Sequence, residues 1–483
     1  MSPTVRRVHA RRVRGARASI PKSHEPSPED LSPLIRALSD PDPAVRRTIA
    51  KVLGSRGDPR AAMALTLSLS DPEAAVRASA AQSLGALGRA EGREPLDRAL
   101  DDPDPRVREM VAWAVGRIGD PRSTEAIIAH MSDPVAEVRW MLAAALGRMR
   151  TPAATSALVL ALTDPSDRVR RAAVLALGES EEPDASERIR PMFHDSARRV
   201  RNATAIVMGR RRDAASVPIL LERADGPDRW ERPSVLVALG RIGDLRAQDA
   251  LERAARDPAH YIRVCGLHAL GEMRAPGARR ASLEHVHDPA WAVRGAAVIC
   301  LGEVGTPGDL PTLLELLEDP HPWPRSAAVY AIGRLGMVEA LPRVREELGH
   351  PVADVRLAAI WTLGRLRDDG ARADLVRLLD VDPCDASSPT TLYAEGDGAI
   401  RLASDADARI FDTVVQALGR LRHAEDPFIE EALSVARARF TDEELDRGAR
   451  LPATEWRGED AGTTLRELFD HALPAGGDPS EAG

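Results

Sequence analysis

The apolar positions of this chain fall into pairs of short helical stretches. Residues 102–132, DPDPRVREMVAWAVGRIGDPRSTEAIIAHMS, show one unit of the pattern. Val107, Val111, Ala114 and Val115 lie at helical spacing with polar residues between them, which predicts a first helix. That helix starts at Asp-Pro: the aspartate supplies an N-cap acceptor, and proline fits the first turn, where its missing N–H costs nothing. It ends in Gly116–Arg117–Ile118–Gly119, whose second glycine suits a left-handed C-cap. Asp120-Pro121 then opens a second helix, with Ala126, Ile127 and Ala129 as its apolar face.

The unit recurs with a fixed step. Gly54, Gly85, Gly116, Gly147, Gly178, Gly209, Gly240, Gly271, Gly302, Gly333 and Gly364 follow one another at a single constant spacing, the length of the unit just described. Arg46, Arg77, Arg108, Arg139, Arg170, Arg201, Arg232, Arg263, Arg294, Arg325 and Arg356 each sit eight residues before one of these glycines. A strict period of this length is the mark of a tandem helical array. Such an array is one elongated body, not a set of separate cores. A glycine in the last turn of a helix costs roughly 1 kcal/mol relative to alanine. Its repetition therefore implies close approach by a neighbouring helix, as do the alanines before it, such as Ala80, Ala81, Ala143, Ala144, Ala145, Ala172 and Ala173.

The pattern Asp-Pro-x-x-x-Val-Arg-x-x-Ala-Ala-x-Ala-Leu-Gly-x-x-Gly-Asp resembles HEAT repeats of the short, phycobilisome-lyase-like type, across residues 28–440. The resemblance implies an all-α, right-handed α-solenoid of about 12 stacked helical hairpins. In that family the Asp-Pro-to-Gly helix is helix B and lines the concave surface, and the helix preceding it is helix A. The aspartate before helix B and the arginine six residues later form a ladder between neighbouring repeats. Asp40/Arg46, Asp71/Arg77, Asp102/Arg108, Asp133/Arg139, Asp164/Arg170, Asp195/Arg201, Asp257/Arg263, Asp288/Arg294 and Asp319/Arg325 match it here. Two repeats depart. His350 replaces the aspartate before Arg356, and around 225–232 Glu231 takes the valine column and Pro233 follows Arg232, which predicts a local distortion.

The register holds through Gly364. Residues 371–380 continue as an ordinary helix A, and residues 381–404 interrupt the array. The next helix B, residues 406–420, brings Gly419, which lies past Gly364 by one repeat plus the length of that interruption. A last helix over 425–440 is expected to cap the stack. Residues 1–27 read as a disordered basic arm. Residues 441–483 read as an acidic, mostly disordered tail with a short amphipathic helix at 463–473.

Composition narrows function mainly by exclusion. The net charge of -8 argues against a generic nucleic-acid binder. It is unevenly spread: residues 1–24 carry Arg6, Arg7, Arg11, Arg12, Arg14, Arg17 and Lys22 with no acid, whereas residues 441–483 carry eleven acids against four arginines. Cys265, Cys300 and Cys384 give no disulfide framework, and no secretory or membrane-spanning stretch stands out, so a cytoplasmic setting is expected. No His-Glu pair of the kind that holds two irons in the related deoxyhypusine hydroxylase occurs in the array. No motif diagnostic of bilin lyases, which bind a tetrapyrrole in the groove, is visible. No Ser-His-Asp set, phosphate loop or paired carboxylates appear, and no cofactor is expected.

Candidate binding residues are those that interrupt the repetition. Positions one, five and nine after the column arginine form an i, i+4 stripe, which across twelve units holds ten cations and five anions. Trp113, Trp140, Trp230, Trp291, Trp323 and Trp361 lie on B helices or at their starts. Trp230, Tyr261 and Trp323 share one column, interrupted at Ala292, and His260 and Trp291 share the adjacent one. A core of alanine and leucine leaves little room for indoles, so these rings are expected in the groove with His268, Tyr330, Arg334 and Arg365. Exposed tryptophan and tyrosine beside arginine is the composition of a protein-binding hot spot. His260, His268, His285, His287 and His321 cluster with Cys265, but Cys265 and His268 give at best two of the four converging ligands zinc needs, so no metal site is assigned. The leading function is a non-catalytic scaffold that binds a protein or peptide in the groove of the repeats spanning 225–365. A bilin-lyase-like or other small-molecule enzyme, and a nucleic-acid binder using the basic arm and groove arginines, remain the alternatives.

Overall fold

The computed structural model describes residues 31–379, 410, 413–418, 420–421 and 427–437. The basic arm, the insertion at 381–404, Gly419 and the helix expected at 463–473 lie outside the described residues. The chain divides into two compact units, residues 1–216 and 217–483. Each is an all-α HEAT-type stack, and every regular element among the described residues is helical.

In the first unit the B helices are α1 (Pro43–Arg56), α2 (Ala74–Leu87), α3 (Pro105–Ile118), α4 (Ala136–Met149), α5 (Asp167–Gly178) and α6 (Arg198–Arg210). In the second unit they are α7 (Arg232–Ile242), α8 (His260–Met273), α9 (Trp291–Val304), α10 (Pro322–Leu335) and α11 (Ala353–Arg365). Within each unit consecutive B helices pack directly on one another, and the shorter A helices, such as Ala62–Ser68 and Gln248–Ala255, pack on the B helix that follows. Most A helices open with a 3₁₀ turn. The A helix at Thr124–Ala129 buries Thr124 and Ile127, while Ala126 is half-buried and Ala129 is exposed, so its apolar face is narrower than the sequence suggests.

The aspartate at the start of each repeat does more than cap. Asp102 accepts a hydrogen bond from the backbone of Asp104 at 2.9 Å, and Asp104 is the true N-cap of α3, accepting from Arg106 at 2.8 Å. Where the second aspartate is missing, as before α4, the N-cap Val135 has no side-chain bond and Asp133 alone holds the turn. The first Asp-Pro is therefore a turn before the helix. Its carboxylate is placed to receive an arginine from the preceding repeat.

That arginine ladder runs as the sequence implies. Arg46 donates from Nε and Nη2 to the two carboxylate oxygens of Asp71, at 2.6 and 2.8 Å, and from Nη1 to the carbonyl of Asp40 at 2.8 Å. One side chain thus joins the corner of its own repeat to the corner of the next, with bidentate geometry. The same step along the chain links Arg77–Asp102, Arg108–Asp133, Arg139–Asp164 and Arg170–Asp195 in the first unit. It links Arg232–Asp257, Arg263–Asp288 and Arg294–Asp319 in the second. Arg46 holds the Asp71 carboxyl below its ordinary range. The pattern bends at His350. Arg325, whose ladder aspartate is missing, turns to Glu347, with both bonds at 2.8 Å. Glu347 sits in a 3₁₀ turn, Glu347–Gly349, and is 1% exposed.

The column glycines meet the next B helix. A Cβ built on Gly85 would come 2.7 Å from the backbone of Ala114, and on Gly240 2.7 Å from Ala269. In each case the partner lies two positions before the next column glycine: Ser83, Ala114, Ala145, Ala176 and Val207 in the first unit, and Ala269, Cys300, Ala331 and Thr362 in the second. Gly364 finds Ala417, two positions before Gly419. The added length of chain between them is that of the insertion, so stacking resumes in register beyond it. The distortion expected near 225–232 is also present. α7 begins only at Arg232 and has 11 residues where its neighbour α8 has 14, and Glu231 is buried against Arg223 at 2.6 Å.

The C-cap column behaves less uniformly than its glycines suggest. Gly57 and Gly119 are left-handed, both with φ of 68°. Arg150, Arg212, Arg274 and Arg367 hold the same column with φ between 48° and 53°. A side chain in that region costs roughly 1–2 kcal/mol, part of which glycine returns through its looser unfolded state. Arg367→Gly is therefore expected to raise stability by about 0.5 kcal/mol. Urea unfolding checks this, and a lower midpoint would show that the arginine is not strained.

Candidate functional site

The aromatic residues of the second unit form two tiers on the B helices. The upper tier lies at the helix starts: Trp230 just before α7, His260 and Tyr261 on the first turn of α8, Trp291 at the start of α9, and Trp323 on the first turn of α10. The lower tier, His268, Tyr330 and Trp361, is a column seven residues further along. Seven residues are close to two turns, so it lies on the same helix face about 10 Å away along the axis.

The upper tier is two groups of touching rings, one spanning α7 and α8 and one spanning α9 and α10. Trp230 and Tyr261 stack with centroids 6.2 Å apart and planes 11° from parallel. His260 meets Tyr261 edge-on at 5.9 Å. Trp291 stacks on His321 at 4.0 Å and meets Trp323 edge-on at 5.7 Å. Arg229 lies 4.9 Å over the Trp230 ring, in cation–π geometry. Trp230 is 54% exposed and Trp291 47%, and His260 is exposed beside them. His321 is also the N-cap of α10, its Nδ1 accepting from the Trp323 backbone at 3.2 Å, so the ring carries its proton on Nε2.

Arg229 and His321 complete this row: Arg229 holds the column of His260 and Trp291 one repeat earlier, whereas column reading passes over His321. His321 stands one residue before the column shared by His260 and Trp291, and Arg229 one residue before Trp230. Gly295 belongs with them. The ring of Trp323 lies where a Gly295 Cβ would be, so the indole rests on bare backbone of α9. Trp113 covers Gly85 and Trp361 covers Gly333 in the same way. The signal is a glycine followed by a tryptophan at one shared spacing, three positions short of a full repeat, legible in all three cases.

The remaining candidates divide from this row. Trp361 is 5% exposed, so it is a packed ring and not a groove anchor. It fills the space beside Gly333, with Tyr330 at 5.3 Å and Arg365 at 5.4 Å over its face. Arg365 also donates to the Gly333 carbonyl at 3.2 Å. Arg334 is exposed and pairs with Glu303 of the preceding repeat at 2.9 Å. His268 is exposed on α8. Trp113 and Trp140 belong to the first unit, where both are half-buried and Arg117 sits 5.9 Å over Trp113. The twelve residues are therefore not one site.

The charge of the stripe is partly cancelled. Arg210 pairs with Glu179 at 2.9 Å in the first unit, and Arg241 with Glu272 at 3.9 Å in the second. With Arg334–Glu303, these pairs leave less free positive charge than the count of cations implies. The histidine cluster does not converge. His285 ends the A helix Ala278–His285, where burial lowers its pKa, and His287 faces Glu315 at 3.9 Å. Burial pushes the Cys265 thiol up. Among the described residues, no three His, Cys, Asp or Glu side chains are placed to hold a metal ion. No helix among them is long and apolar enough to cross a membrane.

A family model described as HEAT repeats matches residues 13–69, 62–137, 124–209, 191–264, 257–333 and 310–386. Comparison with curated proteins returns no match. Among solved structures, yeast importin-beta (Kap95p) is similar, with 15% identity over 91% of this chain and 66% of that one and a TM-score of 0.51. The complex of CpcE and CpcF of phycocyanin lyase from Nostoc gives 22% identity over 55% of this chain and 96% of that one, with a TM-score of 0.31. Human deoxyhypusine hydroxylase gives 22% identity over 56% and 94%, with a TM-score of 0.24. At these identities the likeness is one of fold. The chain spans 66% of the importin-beta chains it matches.

Proposed function

Because the chain belongs to the HEAT-repeat family, we propose that it is a non-catalytic scaffold, built of short repeats of the phycobilisome-lyase-like type, that binds a protein or peptide partner on the B-helix face of its second unit. The fold is one commonly used for protein binding. The observation that carries the reading is the upper ring row. Large aromatic side chains stand half-exposed at the starts of the B helices, Trp230 before α7 and Trp291 on α9, with Arg229 over the first of them. Rigid amphipathic rings at a water-excluding contact contribute most of the affinity in protein interfaces.

The test uses the exposed members, whose loss leaves the packed rings in place. The full chain is used to capture its partner, which mass spectrometry identifies. Binding of that purified partner is then measured to wild type and to the Trp230→Ala, His260→Ala, Trp291→Ala triple variant. At least tenfold weaker binding is expected, with an unchanged melting curve, from the size of typical anchor residues. Equal affinity would remove the row from the interface and with it this proposal.

A further inference from the structure

We propose that the B-helix face of the first unit is a second docking surface, which takes an acidic, extended segment of a partner protein. It belongs to a different unit from the ring row and goes beyond the reading given above.

The stripe of positions one, five and nine after the column arginine carries its positive charge unevenly. In the first unit it holds Arg47, Lys51, Arg117, Arg148, Arg171 and Arg210 against Glu109 and Glu179. On α7 to α11 it holds Arg241, Arg334 and Arg365 against Glu272 and Glu303. Pairing widens the difference. In the second unit Arg241 and Arg334 meet those two glutamates, and Arg365 donates to a backbone carbonyl. In the first, Arg210 is matched by Glu179, but Arg47, Lys51, Arg117, Arg148 and Arg171 are exposed and meet no carboxylate among the described residues. Helices α1 to α6 pack each on the next, so these cations share one face. Ser55, Ala78, Ala86 and Ala144 occupy stripe positions between them and leave that face open. The acids at the starts of α4 and α5 are already held, Glu137 by Arg168 at 3.5 Å and Asp167 by Arg199 at 2.8 Å. Glu109, the remaining acid of the stripe there, is half-buried.

Arginines without a counter-charge select carboxylates or phosphates. Charge density and ring geometry decide between the two. A nucleic-acid duplex carries a charge about every 1.7 Å, so one helix step of about 8–10 Å presents roughly five phosphates to about one cation. Single strands are held through open ring faces on which bases stack, whereas Trp113 is half-buried with Arg117 at 5.9 Å over its ring. A peptide with spaced carboxylates matches the sparse charge, each carboxylate taken by a guanidinium fork. The distance from α1 to α5 is four helix steps, about 32–40 Å, which about twelve extended residues span.

The experiment titrates the full chain against three labelled probes, following fluorescence anisotropy at low and at raised salt. The first is a peptide of about twelve residues in which glutamate alternates with serine. The second replaces its glutamates by glutamine, and the third is a single-stranded oligonucleotide. The first is expected to bind saturably, more weakly as salt rises, and more tightly than either of the others. Arg117→Gln, Arg148→Gln and Arg171→Gln together should weaken it about tenfold, the effect that three exposed ion pairs can supply, with an unchanged melting curve. The Trp230→Ala, His260→Ala, Trp291→Ala variant should bind it as wild type does. A carbodiimide, which joins a bound carboxylate to a nearby amine, should couple the peptide to Lys51, the one lysine of the array. Absence of saturable binding, preference for the oligonucleotide, or binding indifferent to the arginine variant would each overturn the proposal. Loss of binding in the ring variant would place the peptide on the second unit and overturn it too. Coupling of Lys51 to residues 441–483 in place of the peptide would make the chain's own acidic tail the occupant and overturn the assignment to a partner. The ring-row reading is decided separately, by the affinity of the natural partner for the ring variant.

Discussion

Glu347→Gln is expected to destabilise the second unit by about 3 kcal/mol, the usual consequence of removing one partner from a buried ion pair. The adjoining change His350→Asp is expected to recover most of that loss. Glu347 is all but inaccessible and takes both hydrogen bonds of Arg325 at 2.8 Å. With glutamine there, the guanidinium keeps its charge and loses its counter-charge. His350 occupies the place where other repeats carry the ladder aspartate, and its Nδ1 accepts from the Val352 backbone at 3.0 Å. An aspartate would accept the same N–H and restore a carboxylate as far along the chain from Arg325 as Asp319 is from Arg294. Urea unfolding followed by circular dichroism, on the two single variants and the double, measures the coupling. A double variant no more stable than Glu347→Gln would mean that the two positions are not interchangeable.

Gly240→Ala should cost about 2 kcal/mol from overpacking, while Gly302→Ala should stay within about 1 kcal/mol of wild type. Both glycines are in the last turns of B helices, where alanine is intrinsically favoured by about 1 kcal/mol. The difference is what the new methyl meets. At Gly240 it would lie 2.7 Å from the Ala269 Cα and 3.0 Å from its carbonyl oxygen, so the backbone of α8 must move. At Gly302 the nearest atoms are the Cβ of Ala331 at 3.2 Å and its Cα at 3.3 Å, which a shift of a few tenths of an ångström relieves. Thermal unfolding of the two variants side by side decides it. Equal stabilities would show that close approach is not what keeps glycine in this column.

These two cases mark how far the sequence could be read. The glycine and arginine columns were legible because each repeats one contact in the same chemical terms, and the contact partner is a fixed number of residues away. The substitution of Glu347 for the missing aspartate was not, because it depends on a 3₁₀ turn shifting the end of an A helix, which leaves no periodic trace. The ring row was legible in part. The column shared by Trp230, Tyr261 and Trp323 pointed to it, yet His321 enters through an N-cap turn that brings an off-column residue under Trp291. Trp361 was misplaced because, besides lying against Gly333, its ring is covered by Tyr330 and Arg365, which column position alone does not show. Periodicity names the face of a helix. It does not say whether a neighbour's backbone has left room for a ring.

The contact between Gly364 and Ala417 has one more consequence. The stacking interface is indifferent to how much chain separates an A helix from its B helix, provided the two columns meet. The junction after Leu378 therefore behaves as a splice point. A foreign cassette placed there is expected to leave the Gly364–Ala417 contact, and with it the thermal stability of the last repeats, unchanged.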